Sequence, residues 1–125
     1  MNLGLLDTSV VIALVQGEPV AMPDAGAVSI VTLCELHHGV LAADDARRPA
    51  RLEALDLAKT AFRALDLDAR VVPHYGRIMS AARRAGRRPG INDVLIAATA
   101  AGRGLPVYTL DRDFVGLDGV EVVLA

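Results

Sequence analysis

The chain reads as an α/β domain built on a mainly parallel sheet of four or five strands, covered by helices on both faces. Three observations predict this. Short apolar runs alternate with stretches of helical periodicity, and the runs lie too far apart to be joined as hairpins. The composition is 53% hydrophobic but only 3% aromatic, which suits a core of Leu, Val, Ile and Ala and excludes a disordered chain. At 125 residues the sequence fits a single domain, residues 1–125.

Leu3–Leu6 is a short apolar run that ends at Asp7-Thr8-Ser9, a buried strand followed by a helix start. That helix continues through Val10–Val15 until Gly17-Glu18-Pro19 stops it. Ala27–Ile30 forms a second strand. From Thr32 to about Ala43, Leu33, Leu36, Val40 and Leu41 recur at helical spacing. A third helix is predicted over Ala50–Ala64, then a brief strand at Leu65–Leu67. Val71 to about Arg88 makes a longer helix, bent early by Pro73. Asn92 is placed to cap a strongly apolar helix over Asp93–Arg103. Strands at Val107–Leu110, ending at Asp111, and Val120–Leu124 complete the order.

No apolar run is long enough to span a membrane. No Lys or Arg precedes the first apolar run, as a signal peptide would require. Cys34 is the only cysteine, which rules out an intrachain disulfide and a cysteine-rich zinc site, and it is expected to be a small buried residue. A reduced, cytoplasmic setting is the expectation. The net charge of −2 does not mark a nucleic-acid binder, yet Arg77, Arg83, Arg84, Arg87 and Arg88 crowd one stretch. They fit either a solvated helix end that complements its dipole or contact with phosphates.

Four acids stand out by position. Asp7 and Asp111 directly follow apolar strands, Glu35 lies just beyond a third, and Asp93 opens a buried helix. Singly, each has a structural reading: Asp7 as a helix cap, Thr32-x-x-Glu35 as a capping box, Asp93 in a favourable first turn, Asp111 and Asp113 in a turn. Together they matter more. In a parallel sheet all strands present their carboxyl ends at one edge, where ligands bind near the topological switch point. Crowded carboxylates repel one another unless compensated, and the only lysine, Lys59, sits on a middle helix. A hard divalent cation, Mg2+ or Mn2+, is the economical counter-charge, with activated water as nucleophile toward phosphorus. His37 and His38 are adjacent and point to different helix sides, so both cannot join the acids. Ser9 reads as a helix-start residue.

Leu5-Leu6-Asp7-Thr8-Ser9, Ser29-x-x-Thr32-x-x-Glu35-Leu36, Asn92-Asp93-x-x-Ile96-Ala97-Ala98 and Thr109-x-Asp111-x-Asp113-Phe114 together resemble the PIN-domain family. More narrowly, they resemble the VapC-type toxins of bacterial toxin–antitoxin pairs. The resemblance spans nearly the whole chain and agrees in motif order and spacing. It implies a three-layer α/β/α fold and a Mg2+- or Mn2+-dependent endoribonuclease. Asp7, Glu35, Asp93 and Asp111 fall on the family's acidic positions, with Asp113 as an additional one. Thr8 and Thr109 would be hydroxyls that hold carboxylates or waters, and Arg83, Arg84, Arg87 and Arg88 would guide the RNA backbone. The family resemblance further implies a homodimer and a VapB-type antitoxin that blocks the acidic site.

Two other classes are weighed beside it. A phosphoryl-transfer enzyme resembling haloacid-dehalogenase-like phosphatases or receiver domains needs a second acid near Asp7 and a later lysine. Here Ser9 lies two residues after Asp7 and no lysine follows Lys59. An inactive partner-binding domain would have no reason to gather the acids.

Overall fold

The computed structural model describes residues 1–125. Five strands, β1 (Leu3–Leu6), β2 (Ala25–Ser29), β3 (Arg63–Leu65), β4 (Val107–Thr109) and β5 (Val122–Leu124), interleave with five helices. The helices are α1 (Thr8–Val15), α2 (Ile30–Ala42), α3 (Arg48–Ala61), α4 (Val71–Arg84) and α5 (Ile91–Ala101). The strands form one sheet in the order β3-β2-β1-β4-β5, and every pairing is parallel.

Alternation along the strands divides the core in two. Leu6, Val28 and Tyr108 pack with Val10, Val11, Leu36, Val40, Ala54, Leu55 and Ala58, which puts α1, α2 and α3 on one face. Leu5 and Val107 pack with Ile78, Val94, Ile96, Ala97 and Phe114, which puts α4 and α5 on the other. The expected three-layer α/β/α arrangement is the observed one. No helix is long and apolar enough to cross a membrane.

The element order agrees with expectation, whereas several boundaries move. Helix α2 starts at Ile30, not Thr32, because the Ser29 side chain accepts the Val31 N–H at 3.1 Å and caps it. Strand β3 comes two residues earlier than expected, over Arg63–Leu65, since α3 already ends at Ala61. Pro73 is the third residue of α4, where its missing N–H has no intrahelical acceptor, so a bend is not required of it. Helix α4 ends at Arg84, and the backbone N–H of Ala85 and Arg87 closes the turn on Ala81 and Ala82. Helix α5 begins at Ile91 with Gly90 in the cap position, so Asn92 lies in the first turn and not at the cap.

The two helices on the α4–α5 face meet tightly at Gly102, which terminates α5. A Cβ there would lie 2.8 Å from the Arg70 carbonyl oxygen and 3.2 Å from that of Ala98. Both obstacles are backbone, so relief requires moving the start of α4. Gly102→Ala is therefore expected to lower the unfolding free energy by about 1–3 kcal/mol in urea titration; an unchanged midpoint would refute this account of the α4–α5 contact.

Candidate active site

The sheet order reverses at β1. Chain segments leave β1 toward β2 and β3, then return to add β4 and β5 on its other side. The crevice between the carboxyl ends of β1 and β4 is thus the switch point, where parallel α/β folds place their ligands.

Asp7 closes β1 and is only 5% exposed. Its carbonyl accepts the first N–H groups of α1, from Val10 and Val11. Its side chain, however, does not cap the helix. Instead Oδ2 accepts two hydroxyls, Ser9 Oγ at 2.8 Å and Thr109 Oγ1 at 2.9 Å. Those hydroxyls in turn accept backbone N–H groups, Leu110 N to Ser9 Oγ at 3.1 Å and Asp111 N to Thr109 Oγ1 at 2.9 Å. The ends of β1 and β4 are therefore laced together through one carboxylate oxygen, and Asp7 Oδ1 is left without a hydrogen bond.

Glu35 and Asp111 follow the same pattern. Thr8 Oγ1 donates to Glu35 Oε1 at 2.7 Å and lies 3.1 Å from the hydroxyl of fully buried Thr32. The capping-box alternative for Glu35 is not what forms, because Ser29 already caps α2. Asp111 Oδ1 accepts the Asp113 N–H at 2.9 Å and caps a single 3-10 turn, Arg112–Phe114. In each acid one oxygen is anchored and the other is free.

Asp93, in the first turn of α5, makes no hydrogen bond through its carboxylate. Its pKa is pushed up from 3.8 to about 6, mainly by burial and then by the charges of Asp7, Asp111, Glu35 and Asp113. All five predicted acids therefore share one electrostatic site. No three of them close on a common point at metal-ligand separation. Lys59 is exposed on α3 and does not neutralise them.

Thr8 and Thr109 take the anchoring roles expected of them. Ser9, expected only to start a helix, is a further hydroxyl that holds Asp7. Its signal was its place two residues after Asp7, where a short hydroxyl reaches back to the preceding carboxylate. Cys34, expected to be buried, is exposed. With Glu35, His38 and Asn92 it lines a pocket of about 430 Å³, while His37 faces elsewhere.

The arginines do not act as one group. Arg83, Arg87 and Arg88 line a groove of about 620 Å³ with Met79, Pro89 and Ile91, and no acid lines it. Arg84 lies outside it and donates to Ser80 Oγ at 2.8 Å. Arg87 is engaged with main-chain carbonyls, those of Asp113 at 2.8 Å and Val115 at 3.2 Å.

A doubly covered parallel sheet with a cluster of anchored carboxylates at its switch point defines an acidic-site α/β domain. The profile of one family of such domains, the PIN domain, matches residues 4–120. The chain belongs to the PIN domain family. Ribonuclease VapC5 of Mycobacterium tuberculosis is 42% identical over 127 residues, covering 96% of this chain and 91% of that protein. Ribonuclease VapC4 of the same organism is 40% identical over 97 residues, covering 77% and 74%. The crystal structure of VapBC-5, a member of the VapBC toxin–antitoxin family from Mycobacterium tuberculosis, aligns with a TM-score of 0.88 and 39% identity over 100% of both chains.

The raised pKa of Asp93 has a signed consequence. Between about 3.8 and 6 the folded chain holds a proton that the unfolded chain has released. Stability thus increases as pH falls through this window and is withdrawn as pH rises through 6. Asp93→Asn removes a charge disfavoured first by burial and then by its acidic neighbours. In chelator at pH 7.5 it is expected to stabilise the fold by on the order of 1 kcal/mol, allowing for solvent screening of this partly exposed group. The gain should shrink toward pH 4.5; no gain at pH 7.5 would mean that the Asp93 charge is not disfavoured in the fold.

Proposed function

We propose that this protein is a metal-dependent endoribonuclease, the toxin of a VapBC-type toxin–antitoxin pair, acting in the cytoplasm with Mg2+ or Mn2+ as cofactor. The observation that carries the metal-dependent chemistry is the set of half-anchored acids. Asp7, Glu35 and Asp111 each commit one oxygen to a protein donor and leave the other free. Asp93 is disfavoured as a charge first by burial and then by the four other acids. Ribonuclease as the activity, and the antitoxin as the partner, rest on the likeness to the VapC ribonucleases and to the VapBC structure.

The donor chemistry fits such an ion. Carboxylate oxygens suit a hard cation, and Mg2+ commonly binds through one or two carboxylates while retaining several waters. Acids held near, but not on, a common point are compatible with that mixed shell. When bound, the ion supplies Lewis acidity toward a phosphodiester and makes water easier to deprotonate.

The chain's own residues do the rest. Ser9 and Thr109 hold Asp7 in one orientation, and Thr8 does the same for Glu35. Without a cation, the acids would repel the phosphate they must approach. Arg83 and Arg88, whose guanidinium groups make no hydrogen bond within the protein, would meet RNA phosphates in the groove they line. An apolar groove of about 380 Å³ lined by Leu67, Val71, Val72, Tyr75, Ile91 and Leu95 leaves Val72 69% and Ile91 62% exposed. Such a surface suits protein partners, in keeping with an antitoxin and a second copy in a homodimer.

Purified protein, free of any partner, is expected to cut RNA with Mg2+ or Mn2+ and to stop on chelation. Asp7→Asn and Asp93→Asn should each lower the cleavage rate by about 100-fold or more, since residues that merely support ligands already cost 10–100-fold. Near-wild-type cleavage by both variants, or cleavage undiminished in excess chelator, would overturn the reading.

A further inference from the structure

The segment between β4 and β5 carries Asp111 and Asp113, yet beyond one 3-10 turn it has no regular structure. Phe114, fully buried, and Leu117, 4% exposed, pin it to the core. Two arginines from the α4 side complete its support. Arg77 donates through Nε to Asp118 Oδ2 at 3.1 Å and through Nη2 to the Asp118 carbonyl at 3.0 Å. Arg87 donates through Nη2 and Nη1 to the carbonyls of Asp113 and Val115, at 2.8 and 3.2 Å.

Each guanidinium sits against a glycine in the left-handed region. Gly116 has φ +84° and a Cβ there would lie 3.3 Å from Arg87 Nη1; Gly119 has φ +69° and its Cβ would lie 2.5 Å from Arg77 Nη2. The segment is thus folded around both arginines. They differ in what they hold. Arg77 is ion-paired with Asp118 at the far end. Arg87 forms no ion pair, and its bonds go to the acidic turn itself.

From Arg87 the hydrogen bonds run to the site without a break. Asp113, whose carbonyl Arg87 holds, gives its N–H to Asp111 Oδ1; the Asp111 N–H goes to Thr109 Oγ1; that hydroxyl goes to Asp7 Oδ2. We infer that Arg87 is a positioning residue, clamping the Asp111–Asp113 turn in register with Asp7, and is not one of the arginines that contact RNA. The inference rests on the ribonuclease reading for its kinetic consequence but not for its geometry. A planar guanidinium bridges two carbonyls from a fixed fork; a lysine ammonium keeps the charge but lacks the fork.

The test compares Arg87→Gln, Arg87→Lys, Arg77→Gln and Arg83→Gln with wild type. With Mn2+ and RNA, both Arg87 variants should lose about 10–100-fold in kcat with KM little changed. Mn2+ titrated calorimetrically into the free protein should bind about 10-fold more weakly. Without metal or RNA, amide exchange at Asp111 and Asp113 should accelerate in both. Arg77→Gln should lower Tm while keeping kcat. Arg83→Gln should instead reduce the salt slope of RNA binding by about 0.7, the loss of one single-strand phosphate contact.

The inference is overturned if Arg87→Gln keeps kcat and loses salt slope as Arg83→Gln does. It is equally overturned if Arg87→Lys restores wild-type kcat, because charge alone would then suffice. Should Arg87→Gln fail to fold, Arg87→Lys carries the same comparison. If wild type itself cuts no RNA, the ribonuclease reading fails, while unchanged or accelerated amide exchange still decides the clamp.

Discussion

A carboxylate withdrawn from water must be given donors, and Asp7, at the end of the central strand, is nearly sealed. The donors it receives are hydroxyls from two different places, Ser9 beside it and Thr109 on β4. Each hydroxyl has one proton to give and lone pairs to spare, so each also takes a backbone N–H from the residues after β4. Satisfying one buried charge therefore braces the crevice where the sheet changes direction. The backbone repeats the tie, with the Asp7 N–H donating to the Tyr108 carbonyl at 2.9 Å.

The chemistry follows from what that bracing leaves undone. Anchoring one oxygen of Asp7, Glu35 and Asp111 fixes each carboxylate plane without consuming its capacity to bind. Asp93, which lacks such support, has its pKa raised first by burial and then by the charges of the other acids. The acids leave unrelieved charge in an otherwise satisfied structure, and perturbed groups tend to mark sites. The proposed cation would relieve the charge, and the groove lined by Arg83 and Arg88 would receive the RNA backbone that the acids alone would repel.

Much of this was legible in the sequence, and the remainder was not for identifiable reasons. Apolar runs and their spacing report which face a residue occupies, so the element order, the parallel sheet and the convergence of Asp7, Glu35, Asp93 and Asp111 could be read. Spacing does not report which of several donors wins. Ser29 took the cap expected of Thr32, which released Glu35 to Thr8. Ser9 looked like a helix start because a local hydroxyl serves a cap and a carboxylate equally well. Cys34 was misjudged because the buried stripe of α2 runs through Val31, Thr32, Leu36 and Val40 and passes it by. The arginines shared one stretch of sequence, but only tertiary contacts separate Arg87, bound to carbonyls, from Arg83 and Arg88.

The sheet order has a consequence for how the molecule comes into being. The central strand β1 pairs on one side with β4, which lies about a hundred residues later in the sequence. Until Thr109 and Asp111 have left the ribosome, Asp7 lacks one of its two hydroxyls and the acidic set is incomplete. A growing chain can dock α1, α2 and α3 onto half a sheet, yet it cannot assemble the site. Long-range pairing of this kind is slow to form. The acidic set therefore waits on the longest-range pairing in the sheet, and a chain folded over β1, β2 and β3 alone has a core but no complete site.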